Sequence, residues 1–310
     1  MSYFEDVDIL MATFNGEEYI ETQIHSILSQ KYKRWRLYIS DDGSSDKTVE
    51  IIKKFSVMDS RIFFIKDDNK NIGPGARFLS LLKYSKSKFA IFCDQDDLWL
   101  ENKIEELINF ASKNFDNKKP SLVHCDGYIY EQLNCNINNK NIASIHANGI
   151  GDFIYYNGGY QGCSMLFNEA LRDLAMQGDF NNVYMHDHFL TLLAYTFGDV
   201  YFLDKKLMLY RIHDRNVCGL NLKEKKIVSK FLRFVRLSEN VVNEKNMDLR
   251  KYVFKKYRGI MNCESENIYR SFFCSYENGK FSRIKNIFHT KFNNKKLKIK
   301  ILIKTLLEKK

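Results

Sequence analysis

Phe92-Cys93-Asp94-Gln95-Asp96-Asp97-Leu98-Trp99-Leu100 sets three carboxylates into four positions, straight after the apolar run Phe89-Ala90-Ile91-Phe92-Cys93. The apolar run reads as a buried strand, and the acids as the turn at its carboxyl end. Carboxylates this close repel one another unless something positive sits among them. A plain solvated loop leaves that repulsion uncompensated, so the stretch points to a bound cation. Oxygen-rich ligands suit a hard divalent ion such as Mg2+ or Mn2+. Such an ion commonly bridges to phosphate oxygens, and the expected occupant is a metal holding a diphosphate.

Hydrophobic period carries the reading outward. Val7 to Ala12 is a short apolar run, read as a strand. Ile20, Ile24, Ile27 and Leu28 then recur at helical spacing. Leu37-Tyr38-Ile39 reads as a second strand, followed by a helix from about Asp46 to Phe55 with Ser44 or Ser45 as its cap. Ile62–Ile65 is a third strand, with a helix from about Gly75 to Tyr84 after it. Phe89–Cys93 is the fourth, and Leu98 to Phe115 reads as helix. Strands alternating with helices predict a mostly parallel α/β sheet wrapped on both faces. Ligands of such sheets bind beyond the carboxyl ends of the strands. Ala12-Thr13-Phe14-Asn15, Ser40-Asp41-Asp42-Gly43-Ser44 and Asp94-Gln95-Asp96-Asp97 all fall there, which would bring Asp42 and Asp96 into one cleft. Taken alone, Asp41-Asp42-Gly43-Ser44 reads equally well as an ordinary turn.

Bulk properties narrow the class. The 310 residues suffice for one large domain or a domain with an appendage. Hydrophobic residues make up 45% and aromatic residues 14%, enough for a sizeable core and too much for wholesale disorder. Met1 to Asp6 is acidic and lacks an apolar signal core, and no apolar stretch approaches the roughly 20 residues of a spanning helix. Seven scattered cysteines without a C-x-x-C pair read as reduced cytosolic thiols. The net charge of +10 hides an asymmetry. Residues 1–220 hold 24 Lys and Arg against 30 Asp and Glu, a net of −6, and residues 221–310 hold 24 against 8, a net of +16. The acidic first part argues against nucleic-acid binding, because a duplex backbone is densely negative. The change of composition sets a boundary near Gly219, giving a domain over 1–219 and a basic helical segment over 220–310.

These residues carry a resemblance. Ile9-Leu10-Met11-Ala12-Thr13-Phe14-Asn15-Gly16 resembles the opening strand of glycosyltransferase family 2, and Ser40 to Asp46 resembles its nucleotide-binding turn. Asp94-Gln95-Asp96 matches its D-x-D metal motif. The longer Cys93 to Trp99 is similar to the form common among bacterial polysaccharide rhamnosyltransferases. Gly162-Cys163-Ser164-Met165, His186-Asp187, Tyr210-Arg211, His213, Asn216 and Gly219 follow in that subgroup's order, over residues 7–219 in all.

The resemblance implies a GT-A fold, a nucleotide-sugar donor and inversion at the anomeric carbon. It implies that Asp42 receives the nucleobase imide N–H and that Ala12 lines the base pocket by its backbone. Thr13, Asp41 and Gln95 join the donor site. Asp96 becomes the direct metal ligand, and Asp94 and Asp97 act through water or bind the donor sugar. Asp187 becomes the general base. His186 precedes it where many members carry Glu, which favours the rhamnosyl-like subgroup. A glycosidic bond to a diphosphate leaves with growing negative charge, which a bound cation stabilises. The attacking hydroxyl must lose its proton, which a carboxylate within reach accepts. Expected partners are a nucleotide sugar, dTDP-L-rhamnose or a UDP-hexose, and a polysaccharide or lipid-linked glycan acceptor.

Plainer readings stand beside these. Asp187 opens the apolar run Phe189-Leu190-Leu192-Leu193-Ala194 and could simply cap that helix. His213, with Arg211, Arg215 and Asn216 around it, reads as a diphosphate or metal contact, or as an ordinary hydrogen-bonded histidine. Arg77 reads as a donor contact or as an exposed helix residue. Trp99 reads as packing or as a sugar platform, and Cys93 and Cys163 as small buried residues. A non-catalytic nucleotide-sugar binder remains the alternative to an enzyme. A pyrophosphorylase would carry a Gly-rich basic loop where Thr13-Phe14-Asn15-Gly16-Glu17-Glu18 stands.

In the basic segment, Ile299, Leu302, Ile303, Leu306 and Leu307 share one helix face, and Ile227 to Leu237 mixes helical apolar spacing with cations. Both read as faces packed on the catalytic domain or on a second copy of the chain, or as helices lying on an anionic membrane at the cytoplasmic side.

Overall fold

The computed structural model describes residues 5–66, 71–142, 146–156, 161–213, 241–292 and 294–308. The chain divides into two compact units, one of residues 1–143, 160–194 and 198–213, the other of residues 144–159, 195–197 and 214–310. The expected boundary at Gly219 and the apolar stretch from Ile227 to Leu237 lie outside the described residues.

The first unit opens with β1 (Val7–Thr13), α1 (Ile20–Leu28), β2 (Trp35–Asp41), α2 (Thr48–Met58), β3 (Ile62–Ile65), α3 (Pro74–Ser80) and β4 (Phe89–Cys93). It continues through β5 (Leu98–Trp99), α4 (Lys103–Asn114), β6 (Ser121–Glu131) and β7 (Asn136–Asn141). After α5 (Ile150–Phe153), which belongs to the second unit, come β8 (Met165–Asn168), α6 (Glu169–Ala175), α7 (His186–Phe197), whose last three residues are counted with the second unit, and β9 (Asp199–Ile212). These strands form one nine-stranded sheet, ordered β3-β2-β1-β4-β8-β6-β9-β5, with β7 added to β6.

The first half is parallel as expected. Its central strands β1 and β4 are almost wholly buried because both faces are covered, while β2 alternates buried residues with the half-buried Arg36 and Tyr38. Register fixes the edge: Thr13 stands level with Asp41, and Met11 with Cys93, so the three acidic or polar turns leave the sheet together. The second half is mixed. β8 runs antiparallel to β4 and β6, and β6 runs parallel to β9.

Leu98 to Phe115 is not one helix. Leu98 and Trp99 pair antiparallel with Leu209 and Met208, and the Trp99 amide donates to Ser26 Oγ at 3.1 Å. Those partners take the backbone groups that a helix would use, and α4 starts at Lys103. The small strand matters for function because it hangs the 94–97 turn beside the end of β9. The cap expected of Ser44 or Ser45 is also absent. α2 begins at Thr48, and Asp46 accepts its amide at 3.0 Å, while Ser44 is engaged by Asp41.

The second unit holds α5, α8 (Glu244–Tyr257), α9 (Cys263–Glu277), α10 (Gly279–His289) and α11 (Lys295–Leu307). Its core is aromatic: Tyr155 packs edge-on to Phe272 at 5.1 Å, and Tyr269 bonds Thr196 through its hydroxyl. Arg250 is wholly buried and donates to the Phe153 and Ile154 carbonyls, which end α5. The stripe that α11 buries is Leu297, Ile301 and Thr305. Ile299, Leu306 and Leu307, from the face singled out in the sequence, are exposed. No helix of the described residues is long and apolar enough to cross a membrane.

Candidate active site

The turn after β2 is saturated with donors. Asp41 accepts Thr13 Oγ1 at 2.8 Å, the amides of Gly43 and Ser44, and the Ser44 hydroxyl. Gly43 supports this with a φ of 92°, a left-handed conformation that costs glycine little. Asp42 is buried and accepts the amides of Ile72 and Gly73, each at 2.9 Å. Its third partner is Arg77, an ion pair at 3.0 Å between side chains only 3% and 6% exposed. Arg77 also reaches Ser40 Oγ, so it is a buried residue and not an exposed helix position. A nucleobase imide at Asp42 would use lone-pair capacity left beside these donors. Ala12 is half-buried one residue before Thr13.

The turn after β4 is built differently. Gln95 makes a two-way amide clasp with Phe14, accepting its N–H and donating to its carbonyl, each at 3.0 Å. Gly16 lies under that side chain, and a Cβ there would meet Gln95 Oε1 at 2.3 Å. The clasp joins the ends of β1 and β4. Asp96 Oδ2 lies 2.7 Å from His213 Nε2, with both side chains partly open to solvent. Arg211 locks the backbone beneath, donating from Nε to the Asp96 carbonyl at 2.7 Å and from its amide to Asp97 Oδ1 at 3.2 Å. Its guanidinium also reaches Gln132 and lies over the Tyr19 and Tyr130 rings. The His213 ring stacks on Tyr19 at 4.5 Å, which fixes its orientation.

Behind Asp96 the charge is crowded. Ligand atoms of Asp94, Asp97 and Cys163 all lie within 4.8 Å of one another. Burial, then the charge of Asp96, raises the Asp97 carboxyl to about 7. Burial, then Asp97 and Asp96, pushes Asp94 well above the usual carboxylate range, and Asp187 adds to this. Asp187 therefore stands near enough to Asp94 for its charge to act there. It occupies the first turn of α7, whose cap residue is Met185, and Asp187 Oδ1 accepts the adjacent amide of His188 at 2.7 Å. That is not a capping bond across the turn.

His186 anchors this helix start. Its buried ring stacks on Phe78 at 4.0 Å and meets Phe92 edge-on at 4.7 Å. Gly162 makes room, since a Cβ there would lie 2.3 Å from His186 Nε2. Burial lowers the imidazole to about 4, so it is neutral near pH 7.

The donor set fits a divalent cation. Among the described residues no oxygen or nitrogen donor reaches the buried Asp97 Oδ2, and the Asp96–His213 pair presents an oxygen and a nitrogen at solvent. Asp96 and His213 would hold the ion, with Asp94 or Asp97 behind them. The structure thus gathers Asp94, Gln95, Asp96, Asp97, Arg211, His213 and Asp187, and keeps Asp41, Asp42 and Arg77 in a second, self-satisfied group. Trp99 is buried packing, as are Cys93 and Cys163. Sequence reading missed Tyr19, the platform for His213, and Lys103, buried beneath the turn. Lys103 left one signal: it precedes Leu107 and Ala111 on the apolar stripe of α4.

The chain is similar to known proteins. The glucosyltransferase WfgD of Escherichia coli, described as UDP-Glc:alpha-D-GlcNAc-diphosphoundecaprenol beta-1,3-glucosyltransferase, is 40% identical over 108 residues, 35% of this chain and 42% of its own. The match thus spans less than half of that relative. The dTDP-rhamnosyl transferase RfbG of Shigella flexneri is 28% identical over 234 residues, 68% of this chain and 74% of its own. The mannosyltransferase PcManGT of Pyrobaculum calidifontis, solved with GDP-Man and Mn2+, superposes with a TM-score of 0.53 at 11% identity, over 98% of this chain and 87% of its own. That likeness is one of fold, and the fold is GT-A. Residues 8–174, more than half of the chain, match the family model for glycosyl transferase family 2, and the protein belongs to that family.

Proposed function

We propose that the chain is an inverting, metal-dependent glycosyltransferase. It would move a sugar from a nucleoside diphosphate to a hydroxyl of a polysaccharide or lipid-linked glycan. The observation that carries this is the Asp96–His213 pair at 2.7 Å, set at a sheet edge with Asp187 acting on Asp94 behind it. A bound Mg2+ or Mn2+ would offset the charge of the diphosphate oxygens. Arg211 holds the Asp96 carbonyl and the Asp97 carboxylate, Tyr19 holds His213, and Gln95 holds the turn to Phe14. Asp187 takes the proton of the acceptor hydroxyl, and its place in the first turn of α7 favours the ionised form. The intact carboxylate set supports an enzyme over a non-catalytic binder.

L-Rhamnose from dTDP-rhamnose is the first candidate donor, supported by the longer alignment with RfbG. A UDP-hexose is the second, supported by the higher local identity to WfgD. The second unit supports peripheral attachment to the cytoplasmic face of an anionic membrane. Phe281, Phe288, Ile299, Leu306 and Leu307 are exposed on α10 and α11 among lysines. Lysines at such a surface contribute on the order of 1 kcal/mol each.

The test is nucleoside diphosphate release from UDP-, GDP- and dTDP-sugars, with Mn2+ and with EDTA. Release expected from dTDP-rhamnose, and lost with EDTA, supports the reading. No release from any donor returns the chain to a binder. For the membrane, sedimentation with anionic and neutral vesicles should show binding to the anionic ones alone, lost on removing residues 290–310. Equal binding to both returns α11 to packing.

A further inference from the structure

Lys103 opens α4 and has no exposed surface. The position is doubly unfavourable for a cation. The amino end of a helix carries partial positive charge, and burial strips the ammonium of water. Nζ donates to the Cys163 carbonyl at 2.6 Å and contacts Met208 Sδ at 3.2 Å. It also lies 4.1 Å from the centroid of the Trp99 ring. None of these three neighbours is a carboxylate, so no formal negative charge touches it there. They come from the 162–164 turn, β9 and β5, the segments that wall the Asp94, Asp97 and Cys163 cluster. The charge of Lys103 acts on Asp97 and Cys163 through this wall.

A lysine retained at such a place, where an apolar side chain would fill the core, calls for a use of its charge. A fixed positive charge behind a cation site opposes the cation and attracts a diphosphate. Without it, the crowded carboxylates would hold a divalent ion whether or not a donor was present.

We propose that Lys103 is a built-in counter-charge that weakens cation binding at the 94–97 turn and strengthens nucleoside diphosphate binding there, so that the ion is held firmly only together with the diphosphate. This rests on the metal reading of the site given above. Lys103 acts through the field and through the turn it holds, without touching the reacting atoms.

Opposite signs make the test specific. Full-length protein and the variants Lys103→Met, Lys103→Gln and Lys103→Arg are titrated calorimetrically with MnCl2 alone, and with dTDP and UDP alone. The neutral variants should bind Mn2+ at least about ten-fold more tightly and bind the metal-free nucleotide more weakly. Lys103→Arg should keep the parent pattern. A packing defect would weaken both ligands together. Neutral variants that bind Mn2+ no tighter than the parent, or that fail to fold, overturn the proposal. A parent that binds no Mn2+, with or without nucleotide, overturns the metal reading and this inference with it.

Discussion

Two acidic turns leave the same edge of the sheet, one after β2 and one after β4, and they treat their carboxylates in opposite ways. Asp41 and Asp42 are given backbone amides, hydroxyls and a buried guanidinium by the protein itself. Asp94 and Asp97 are given one another, the Cys163 thiol and, at Asp97, the Arg211 amide. The first turn is finished by folding, because every charge has a donor. The second is left with crowded carboxyls pushed toward protonation, and our proposal sets a cation there. Both motifs are rich in Asp, and the contrast comes from Gly43 and Ser44 inside the first turn and from the segments brought beside each. Residues 72–77 close over Asp42, while the end of β9 offers Asp96 a histidine.

The comparison is tested most severely by a carboxylate outside both turns. If the incomplete turn is one wall of a reaction site, Asp187→Asn should lower turnover by about two to four orders of magnitude with donor affinity little changed. Near-parent turnover would reduce Asp187 to a helix residue. For the finished turn, Asp42→Ala leaves the buried Arg77 guanidinium without its carboxylate, so urea unfolding should show a loss of about 3–5 kcal/mol, and nucleotide binding should weaken as well. A loss below about 1 kcal/mol would mean that the pair is not desolvated as described.

His186 sharpens the contrast through pH. Its folded value of about 4 lies below the ordinary 6.5, so on acidification the unfolded chain takes the proton first. Stability is therefore lost as pH falls from 6.5 toward 4, by about 2–3 kcal/mol between pH 7.5 and 4.5. His186→Phe should lack that share of the loss, and parallel pH curves for the two proteins would remove the assignment. The smallest effect falls on Asp97→Asn. Removing a buried charge that crowds Asp94 and Asp96 should stabilise the metal-free protein at pH 8 by about 1 kcal/mol, whereas the same change at Asp42 should destabilise it. Destabilisation at both sites would erase the difference between the turns.

Much of this was legible in the residues. β1 to β4 and their helices follow from apolar period alone, and the turns at their carboxyl ends follow from the fold class. Asp96 and His213 could be assigned to one site by motif order, though 117 positions separate them. What was not legible depends on tertiary pairing. Leu98 and Trp99 carry no strand signal of their own, and β9 makes them a strand. The donors around Asp42 come from residues 72–77, whose approach no local pattern encodes. Tyr19 sits before a helix like any aromatic residue, and only the fold lays His213 upon it. On α11 the spacing allowed two apolar stripes, and packing chose Leu297 and Ile301 over Ile299 and Leu306.

The central claim is that the turn after β4 is a cation site centred on Asp96. Mn2+ binding followed by electron paramagnetic resonance, with dTDP or UDP present, addresses it directly. The account predicts that the parent binds Mn2+ and that Asp96→Asn, folded as the parent is, loses at least the roughly 10–100-fold that even an outer-shell partner of a metal is worth. Equal Mn2+ binding by the parent and Asp96→Asn, or none by either, would contradict it.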